Sequence, residues 1–514
     1  MPWAFGQGRG FVKHFKGLAL ACGLMAAVIA ASPALAQTCN SESGCIVETV
    51  IATQAATPKF FGVFTPLGFS TVTAIGVAAV APMIGTIILG HELSPSEFWH
   101  MELTLFFGPF GPMLADRMFP PGQNGGPPGP GNPGQGPPTN INLPPPGAPF
   151  VPNEILLEVD SGTPASYLAR LGQRLGLTLI QSQSFGLSGR TLLQFQINNG
   201  RSVISVLRSL AQYARISAAQ PNYLYLLQQG APAVTRDVPR DSTVVQYVVD
   251  KLHLREAHEI TNGDDVVVAV IDSQVDVTQP ELAGSIAGSF DATGQPPAPH
   301  PHGTAIAGAI AAHAKLIGIA PKVKLLTARV FTGNGESAQA STFNILKGID
   351  WAASQNARIL NMSFAGPNDP MIRNMISKAH ARGLVIIAAV GNAGPRAPPL
   401  YPAAYADVIG VTATDVDDKL MPQANRGRQV AVSAPGVDIV APAPADTYQI
   451  TSGTSVAAAH VSGVAALLLA RDPKLTPNAL KKILTASAHG LGRPAQEVGA
   501  GEIDALSALR ALQK

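Results

Sequence analysis

The chain has 514 residues, which is long enough for two to four domains that each bury a core of their own. Its 35 Lys and Arg residues nearly balance 33 Asp and Glu residues, and charged residues make up only 13% of the chain. With no basic cluster beyond the N-terminus, this composition excludes the positive surface on which nucleic-acid-binding proteins depend.

Residues 1–36 have the features of a secretory signal peptide. Basic residues come first, an apolar stretch follows, and small residues lead to a cleavage site after Ala36. A lipoprotein signal ending at Cys22 is rejected, because too few apolar residues precede that cysteine. Cys39 and Cys45 suit a short-loop disulfide in an oxidising compartment. We therefore expect an exported protein, either periplasmic or extracellular.

Residues 37–119 form an apolar segment, and 60–90 within it carry no charge over a length that could span a bilayer. Prolines and glycines interrupt the stretch. A single span, a hairpin and a small helical domain lying on a membrane all fit, and the Lys/Arg bias does not choose between them. Residues 120–152 are rich in Pro, Gly, Asn and Gln, which predicts a linker.

Residues 153–229 alternate between strand and helix patterns in the order β-α-β-β-α-β, which predicts a small α+β, ferredoxin-like domain. A connector with two prolines follows at 230–241. From 242 to 514, continuous apolar strands alternate with helices, which predicts an α/β domain whose parallel sheet is covered on both faces. The predicted strands are Val266 to Asp272, Lys324 to Phe331, Arg358 to Phe364, Leu384 to Asn392 and Val408 to Asp415. The predicted helices are His302 to His313, Ser341 to Gln355, Pro370 to Arg382, Ser455 to Asp472 and Pro477 to Ser487.

Polar residues stand where these elements meet the carboxyl edge of the sheet, which is where ligands bind in such folds. Asp272 ends a strand, Asn392 ends another, His302 opens an Ala/Gly-rich helix, and Ser455 lies in the first turn of an apolar helix. Taken alone, Ser455 is explained as a helix N-cap, and each of the others also has an ordinary structural explanation. A hydroxyl at a helix N-terminus is also where an acyl-transfer enzyme needs its nucleophile. Four such residues at one edge point to that chemistry.

The motifs around these residues resemble those of the subtilisin-like serine proteases, or subtilases. The motifs are Val-Ala-Val-Ile-Asp272-Ser, His302-Gly-Thr and Gly453-Thr-Ser455, in the order that this family uses. The resemblance covers about Val244 to Gly463. It implies a three-layer fold with a mostly parallel sheet, and it implies that 153–229 is an inhibitory propeptide acting in cis.

The resemblance also implies the role of each residue. Ser455, His302 and Asp272 would form the catalytic triad of a serine endopeptidase that acts on polypeptides, and Asn392 would help to hold the oxyanion. Two more sets are implied for substrate binding: Ser363, Phe364 and Ala365 against the substrate backbone, and Ala389, Val390 and Gly391 around the primary specificity pocket.

The chain departs from the family pattern at Gln274, Ala305 and Ala459, where the family usually has Gly, His and Pro. These departures motivate an alternative, in which the chain is a catalytically impaired homologue acting as a membrane-associated binding or scaffold protein. The segment 312–319 is short and lacks Asn or Asp ligands. Because calcium needs six to eight oxygens, we expect no tight calcium site there and no cofactor, while a weaker calcium site stays open.

Overall fold

The computed structural model describes residues 140–213, 215–227, 234–236, 245–333 and 337–512, with the backbone alone for 234–236. The predicted signal peptide, the apolar segment 37–119 and most of the linker lie outside the described residues. So do the two cysteines and most of the connector. The expectations for these segments stay predictions.

An α+β domain comes first in the described chain. Its elements are β1 (Asn140–Ile141), β2 (Phe150–Asp160), α1 (Ala165–Leu175), β3 (Leu177–Phe185), β4 (Arg190–Ile197), α2 (Val203–Leu210) and β5 (Ile216–Leu227). The strands lie in the order β1-β5-β2-β4-β3. Strands β2 to β5 pair antiparallel, and α1 and α2 cover one face of the sheet. The predicted β-α-β-β-α-β fold is confirmed.

The start of this domain differs from the boundary that we placed at residue 153. Strand β2 begins at Phe150, and β1 pairs in parallel with β5, with Asn140 opposite Ala218. Ile141 and Phe150 are partly buried against the core of the domain. Residues 140–152 therefore belong to the domain and not to a linker. The proline-rich stretch contains the two-residue strand β1 and the first three residues of β2, because pairing and burial decide the conformation more than composition does.

The second part of the described chain is the larger α/β domain. Its strands are β6 (Val234–Arg236), β7 (Val267–Asp272), β8 (Ile286–Asp291), β9 (Lys324–Arg329), β10 (Gln339–Ser341), β11 (Ile359–Met362), β12 (Phe364–Ala365), β13 (Val385–Ala389), β14 (Ile409–Thr414), β15 (Val430–Pro435), β16 (Ile439–Ala443) and β17 (Thr447–Thr451). Its helices are α3 (Tyr247–Lys251), α4 (Leu254–Ile260), α5 (Pro301–Ala311), α6 (Thr342–Ser354), α7 (Pro370–Ala381), α8 (Thr454–Arg471), α9 (Pro477–Ser487), α10 (Ala495–Val498) and α11 (Ala505–Ala511).

The main sheet of this domain is parallel, in the order β15-β14-β13-β11-β7-β9-β8. Strand β7 shows why three layers form. Val268 and Val270 join the core beneath α5 and α8, whereas Ala269 and Ile271 join the core beneath α6 and α7. Because successive side chains of a strand point to opposite faces, an unbroken apolar strand needs helices on both sides. The predicted α/β class with a mostly parallel sheet is confirmed.

Helix α8 runs through the centre of one of these layers. It is buried from Thr454 to Leu469, so it is apolar on all sides and not amphipathic. Within the described residues it is the one helix whose length and composition would suit a membrane span, and it lies inside the protein core. Its apolar character is therefore explained by burial.

The α+β domain packs its second sheet face against α6 and α7 of the larger domain. Leu156, Leu187 and Tyr223 lie in the same apolar cluster as Phe343 and Met375. Polar contacts join the domains as well: Asn222 Oδ1 accepts from the Phe343 N–H, and the Asp350 carboxylate accepts from the N–H groups of Gly186 and Leu187. This face of the sheet is buried by the second domain, just as the first is buried by α1 and α2.

Candidate active site

Three neighbouring strands of the parallel sheet deliver polar residues to one edge. Asp272 is the last residue of β7, Ser363 follows β11, and Asn392 follows β13 by three residues. These strands are adjacent in the sheet, in the order β13-β11-β7. Helices α5 and α8, which carry His302 and Ser455, pack against each other above the sheet.

Asp272 and His302 form a buried hydrogen-bonded pair. His302 Nδ1 lies 2.8 Å from Asp272 Oδ1, and neither residue exposes more than 7% of its surface. Asp272 Oδ1 also accepts from the Ser273 N–H at 2.7 Å and from its hydroxyl at 2.9 Å, so three donors compensate the buried charge. Since a carboxylate only accepts, Nδ1 carries the proton and Nε2 of His302 is left as a base.

The N-terminus of α5 is built to hold His302 in place. His300 is the N-cap: its Nδ1 accepts from the His302 N–H at 3.1 Å, and Pro301 occupies the first helical position. Gln274 holds the segment before the cap, because its Oε1 accepts from the Ala298 N–H and its carbonyl from the His300 N–H. A Cβ on Gly303 would lie 2.5 Å from the Ser273 carbonyl oxygen, so only glycine allows α5 to approach β7 this closely.

Ser455 lies in the first turn of α8 and is 3% exposed. Its hydroxyl donates to the Ser363 carbonyl at 3.1 Å, and the Ser363 hydroxyl donates back to the Ser455 carbonyl at 2.9 Å. His302 Nε2 is buried and has no hydrogen-bond partner among the described residues. The Ser455 hydroxyl must therefore turn from Ser363 towards the imidazole before a proton can pass, and such loose geometry is common before substrate binds.

Asn392 is oriented by the residue that precedes Ser455. Its Oδ1 accepts from the Thr454 N–H at 3.1 Å and from the Thr454 hydroxyl at 2.8 Å. With its oxygen engaged in this way, the Nδ2 group is the end that can donate to a substrate. The first backbone N–H groups of a helix point out of its N-terminus, so the Ser455 N–H is a second donor suited to a developing oxyanion.

Another buried histidine, His460 on α8, does not compete with His302 as the base. It is 3% exposed, and its Nδ1 donates to the Pro435 carbonyl at 2.8 Å. Burial lowers its pKa to about 4, which keeps the ring neutral near neutral pH. His460 is a structural residue of the helix.

The groove beside this edge is filled by the chain itself. Strand β5 of the α+β domain pairs antiparallel with β10, placing Leu226 opposite Gln339, and with β12, placing Leu227 opposite Phe364. Further along the chain, β6 pairs antiparallel with β17, and Val234 lies opposite Ile450. Ile450 precedes Ser455 by only five residues. Phe364 and Ala365, which we expected against a substrate backbone, thus pair with the chain's own segment. Ala389 and Val390 are fully buried at the end of β13.

Comparisons with known proteins agree with this arrangement. A sequence model described as the Subtilase family matches residues 263–501. Thermitase from Thermoactinomyces vulgaris is 36% identical over 231 residues, covering 43% of this chain and 81% of thermitase. Subtilisin DY from Bacillus licheniformis is 32% identical, covering 45% of this chain and 86% of that protein. The chain belongs to the subtilase family.

Two further relatives cover more of this subtilase. The thermophilic serine proteinase from Bacillus sp. (strain AK1) is 30% identical over 328 residues, covering 62% of this chain and 78% of the proteinase. The crystal structure of fervidolysin from Fervidobacterium pennivorans, a keratinolytic enzyme related to subtilisin, matches with a TM-score of 0.61 at 22% identity. It covers 73% of this chain, which spans 63% of fervidolysin, and it supports the fold. The prediction that the chain is a serine-type endopeptidase acting on polypeptides is confirmed by its family.

The three departures from the family pattern preserve the hydrogen bonds of the site. Gln274 is absent from the positions with positive φ, so the turn after Asp272 does not use the backbone angles that favour glycine, and its carboxamide binds the neighbouring loop. Ala305 is buried within α5, and α8 runs without interruption through Ala459. None of these substitutions removes a group that the site would use.

The segment predicted to lack a calcium site is organised by a carboxylate. Glu281 is fully buried and accepts hydrogen bonds from the N–H groups of Ala314, Lys315 and Leu316 and from the Tyr448 hydroxyl. Within the described ranges, no three His, Cys, Asp or Glu side chains gather as a metal site requires. That the tight calcium site is absent stays a prediction, and a weaker calcium site stays open.

Four residues around this site were not found from the sequence: His300, Thr454, Gln274 in its bonding role, and Asn425, which binds the backbone on either side of Asn392. His300 could have been found from Pro301 beside it, since proline favours the first helical position, but histidine is an unusual cap. Asn425 gave no signal, because an Asn in a loop predicts a turn and nothing more.

Proposed function

We propose that this subtilase is an exported serine endopeptidase made as a self-processing zymogen, and that Asp272, His302 and Ser455 are its triad. The observation that carries the proposal is strand β5, which enters the groove at β12 as a peptide substrate would. The hydrogen bond between Asp272 and His302 supports the assignment of the base, and the position of Ser455 at a helix N-terminus supports the assignment of the nucleophile.

The proposed reaction proceeds through an acyl-enzyme. Ser455 Oγ attacks the carbonyl carbon of the scissile bond while His302 Nε2 takes its proton, and Asp272 stabilises the resulting imidazolium. The C–N bond then breaks as His302 returns the proton to the leaving amine. Water attacks the ester with His302 again accepting a proton, the carboxylate product leaves, and the proton returns to Ser455.

The negative oxygen of each tetrahedral intermediate is held, in this proposal, by Asn392 Nδ2 and the Ser455 N–H. The bonds from Thr454 to Asn392 Oδ1 support that orientation of the amide. A preorganised donor pair of this kind stabilises the transition state more than the substrate. In subtilisin, a relative of this chain, loss of the equivalent Asn lowers kcat about 10²–10³-fold.

The proposed processing site lies between Leu227 and Val234. Leu227 pairs with Phe364 of β12, and Val234 pairs with Ile450 of β17, which precedes Ser455 by five residues. The residues that join Leu227 to Val234 along the chain would carry the scissile bond. The alignment with the AK1 proteinase is longer than 242–514, which supports the presence of a related preceding domain in that enzyme. The α+β domain would thus block the groove until the connection is cut.

Two sets of residues would bind substrates after processing. Ser363, Phe364 and Ala365 would pair with the substrate backbone in the place that β5 occupies, and Ala389, Val390 and Gly391 would line an apolar primary pocket. Extended peptide segments are the substrates that such an arrangement binds.

The test is to express the full chain and its Ser455→Ala variant and to determine intact masses and new N-termini. We expect wild type to yield two fragments with the new N-terminus between residues 228 and 234, and the variant to remain one chain. An uncut wild type that also fails to react with a fluorophosphonate would support the alternative, an impaired homologue with a binding or scaffold role. Reporter fusions at residues 58, 96 and 125 would test export and the relation of 37–119 to a membrane.

A further inference from the structure

We propose that Asn425 is a positioning residue for the oxyanion hole, acting through the backbone on both sides of Asn392. The inference rests on the oxyanion role proposed for Asn392. Asn425 lies in the loop after β14, 33 residues beyond Asn392, and none of its surface is exposed to solvent. Nothing in its local sequence suggests a part in catalysis.

The hydrogen bonds of Asn425 bracket Asn392. Its backbone N–H donates to the Gly391 carbonyl at 2.9 Å, and its side-chain Oδ1 accepts from the Ala393 N–H at 2.8 Å. One residue further along, the Gly394 N–H donates to the Gln423 carbonyl at 2.8 Å. The residues immediately before and after Asn392 are therefore both bound to Asn425.

This loop needs an external support because its backbone is unusual. Gly391 has a φ of +105° and Gly394 a φ of +99°, conformations that other residues rarely adopt. A Cβ on Gly391 would lie 2.8 Å from Leu400 Cδ1 and 3.4 Å from Asn425 Cγ, so the loop is closely packed on this side. Residues in such conformations persist where the surroundings determine them, and Asn425 supplies part of those surroundings.

Thr454 and Asn425 orient Asn392 through different contacts. Thr454 binds the Asn392 side-chain oxygen and so sets the rotation of the amide. Asn425 binds the main chain of the residues on either side of Asn392 and so fixes the position of the Asn392 backbone, from which the side-chain amide extends. Both must be correct, because displacement of a catalytic group by about 1 Å can lower the rate about 10²-fold.

Substitution of Asn425 removes two side-chain hydrogen bonds and leaves the backbone bonds. In Asn425→Ala the two backbone bonds from 423–425 to the loop remain, while the Ala393 N–H loses its acceptor and the Pro398 carbonyl loses the longer bond of 3.4 Å from Asn425 Nδ2. We expect kcat to fall about tenfold to hundredfold with KM within about twofold, since the oxyanion interaction is made in the transition state. The affinity for a peptide boronic acid, which forms a tetrahedral adduct, should fall by the same factor.

The experiment uses the full-length, self-processed protein with active sites counted by fluorophosphonate titration. It compares Asn425→Ala, Asn392→Ala, the double variant, and Asn425→Asp, which keeps an acceptor for the Ala393 N–H. Ser433→Ala is the matched control, because it removes an equally buried polar group whose hydroxyl binds the Val498 carbonyl. We expect the double variant to be no slower than Asn392→Ala, Asn425→Asp to recover most of kcat even at a lower Tm, and Ser433→Ala to keep the wild-type kcat.

The outcomes separate the two proposals. If Asn392→Ala loses activity while Asn425→Ala keeps wild-type kcat and boronate affinity, the positioning role is wrong and the oxyanion role stands. It is also wrong if the double variant falls by the product of the single effects, or if Ser433→Ala loses as much kcat. If Asn392→Ala itself leaves kcat unchanged, the oxyanion assignment fails, and this inference fails with it.

Discussion

At the scale of single residues, the site depends on which nitrogen of His302 carries its proton. Asp272 determines this, because its buried Oδ1 can only accept a hydrogen bond from Nδ1. Ser273 completes the arrangement by donating twice to the same oxygen. The carboxylate thus fixes both the tautomer and the direction of the imidazole.

We therefore predict that Asp272→Asn lowers kcat about 10⁴-fold while leaving KM nearly unchanged. A carboxamide can present its N–H to Nδ1 and favour the tautomer with the proton on Nε2, which is then no longer a base. The measurement is kcat per active site at neutral pH, with circular dichroism to verify folding. A loss below about tenfold in a folded variant would show that Asp272 does not orient His302.

Sequence reasoning found the residues at strand ends and missed those that support them. Asp272, Asn392 and His302 are visible because apolar runs locate the strands and a small-residue pattern locates the helix. Asn425 and His300 act through single hydrogen bonds to the main chain of segments that no periodicity links to them. Contacts of that kind depend on the folded positions of loops, and a single sequence carries no record of them.

At the scale of elements, the segment between α5 and β9 depends on Glu281. Its buried carboxylate accepts from three consecutive backbone N–H groups and from the Tyr448 hydroxyl. These N–H dipoles compensate the negative charge of the Glu281 carboxylate, as a bound cation would, and the hydrogen bonds hold the segment in one conformation. The helix before this segment carries His302, so its order bears on the active site.

We predict that Glu281→Ala lowers the free energy of unfolding by about 3 kcal/mol or more, because the buried Leu316 N–H and the buried Tyr448 hydroxyl both lose their acceptor. For a domain of this size the apparent Tm should fall by about 6 °C or more. The measurement is thermal unfolding at a fixed scan rate in the Ser455→Ala background, which prevents autolysis. Tyr448→Phe is the milder control and removes one hydrogen bond. A wild-type Tm that drops with a chelator, together with an unchanged Tm for Glu281→Ala, would contradict this account.

Strands β14 and β15 hold a carboxylate that should titrate near neutral pH. Glu502 is 4% exposed, and its two carboxylate oxygens lie 2.9 and 2.8 Å from the Thr414 hydroxyl, which donates one hydrogen to the pair. Burial raises its pKa from 4.5 to about 7, although the hydrogen bond from Thr414 and the charge of Lys251 oppose the shift. The negative charges of Asp418 and Asp415 also raise the pKa of Glu502.

Because the folded-state pKa is raised, the stabilising contribution is complete below pH 4.5 and is lost as pH rises to about 7. Between these two pH values, the contribution of Glu502 to the free energy of unfolding changes by about 3 kcal/mol. We predict that Glu502→Gln is more stable than the parent at pH 8 and nearly equal to it at pH 5. Apparent Tm measured against pH in the Ser455→Ala background is the test. Parallel curves for both proteins would show that Glu502 does not titrate in this range.

At the scale of the whole molecule, the order of the segments along the chain means that processing would also separate the catalytic domain from residues 37–119. The apolar segment 37–119 precedes the α+β domain, and the proposed cut lies after that domain. A cut between Leu227 and Val234 breaks the only covalent link between the catalytic domain and 37–119. Within the described residues, the contacts of the α+β domain with α6 and α7 would then hold the catalytic domain to it without a covalent bond.

We predict that tagged full-length Ser455→Ala fractionates with membranes through 37–119 and that the wild-type catalytic domain becomes soluble once the α+β domain dissociates or is degraded. The measurement is immunoblotting of membrane and soluble fractions with tags at both ends. Deleting 60–90 is the control and should make the Ser455→Ala chain soluble. A catalytic domain that stays with membranes after processing and loss of the α+β domain would contradict release by cleavage.

We propose that Ser455 is a nucleophile activated by His302 and that β5 occupies its groove until processing. Labelling of the purified, processed protein with a fluorophosphonate, followed by peptide mapping, tests this proposal. We expect one labelled residue, Ser455, with labelling lost in His302→Ala and blocked by added α+β domain. Labelling that is absent from the folded wild-type protein, or that persists in His302→Ala at the wild-type rate, would contradict it.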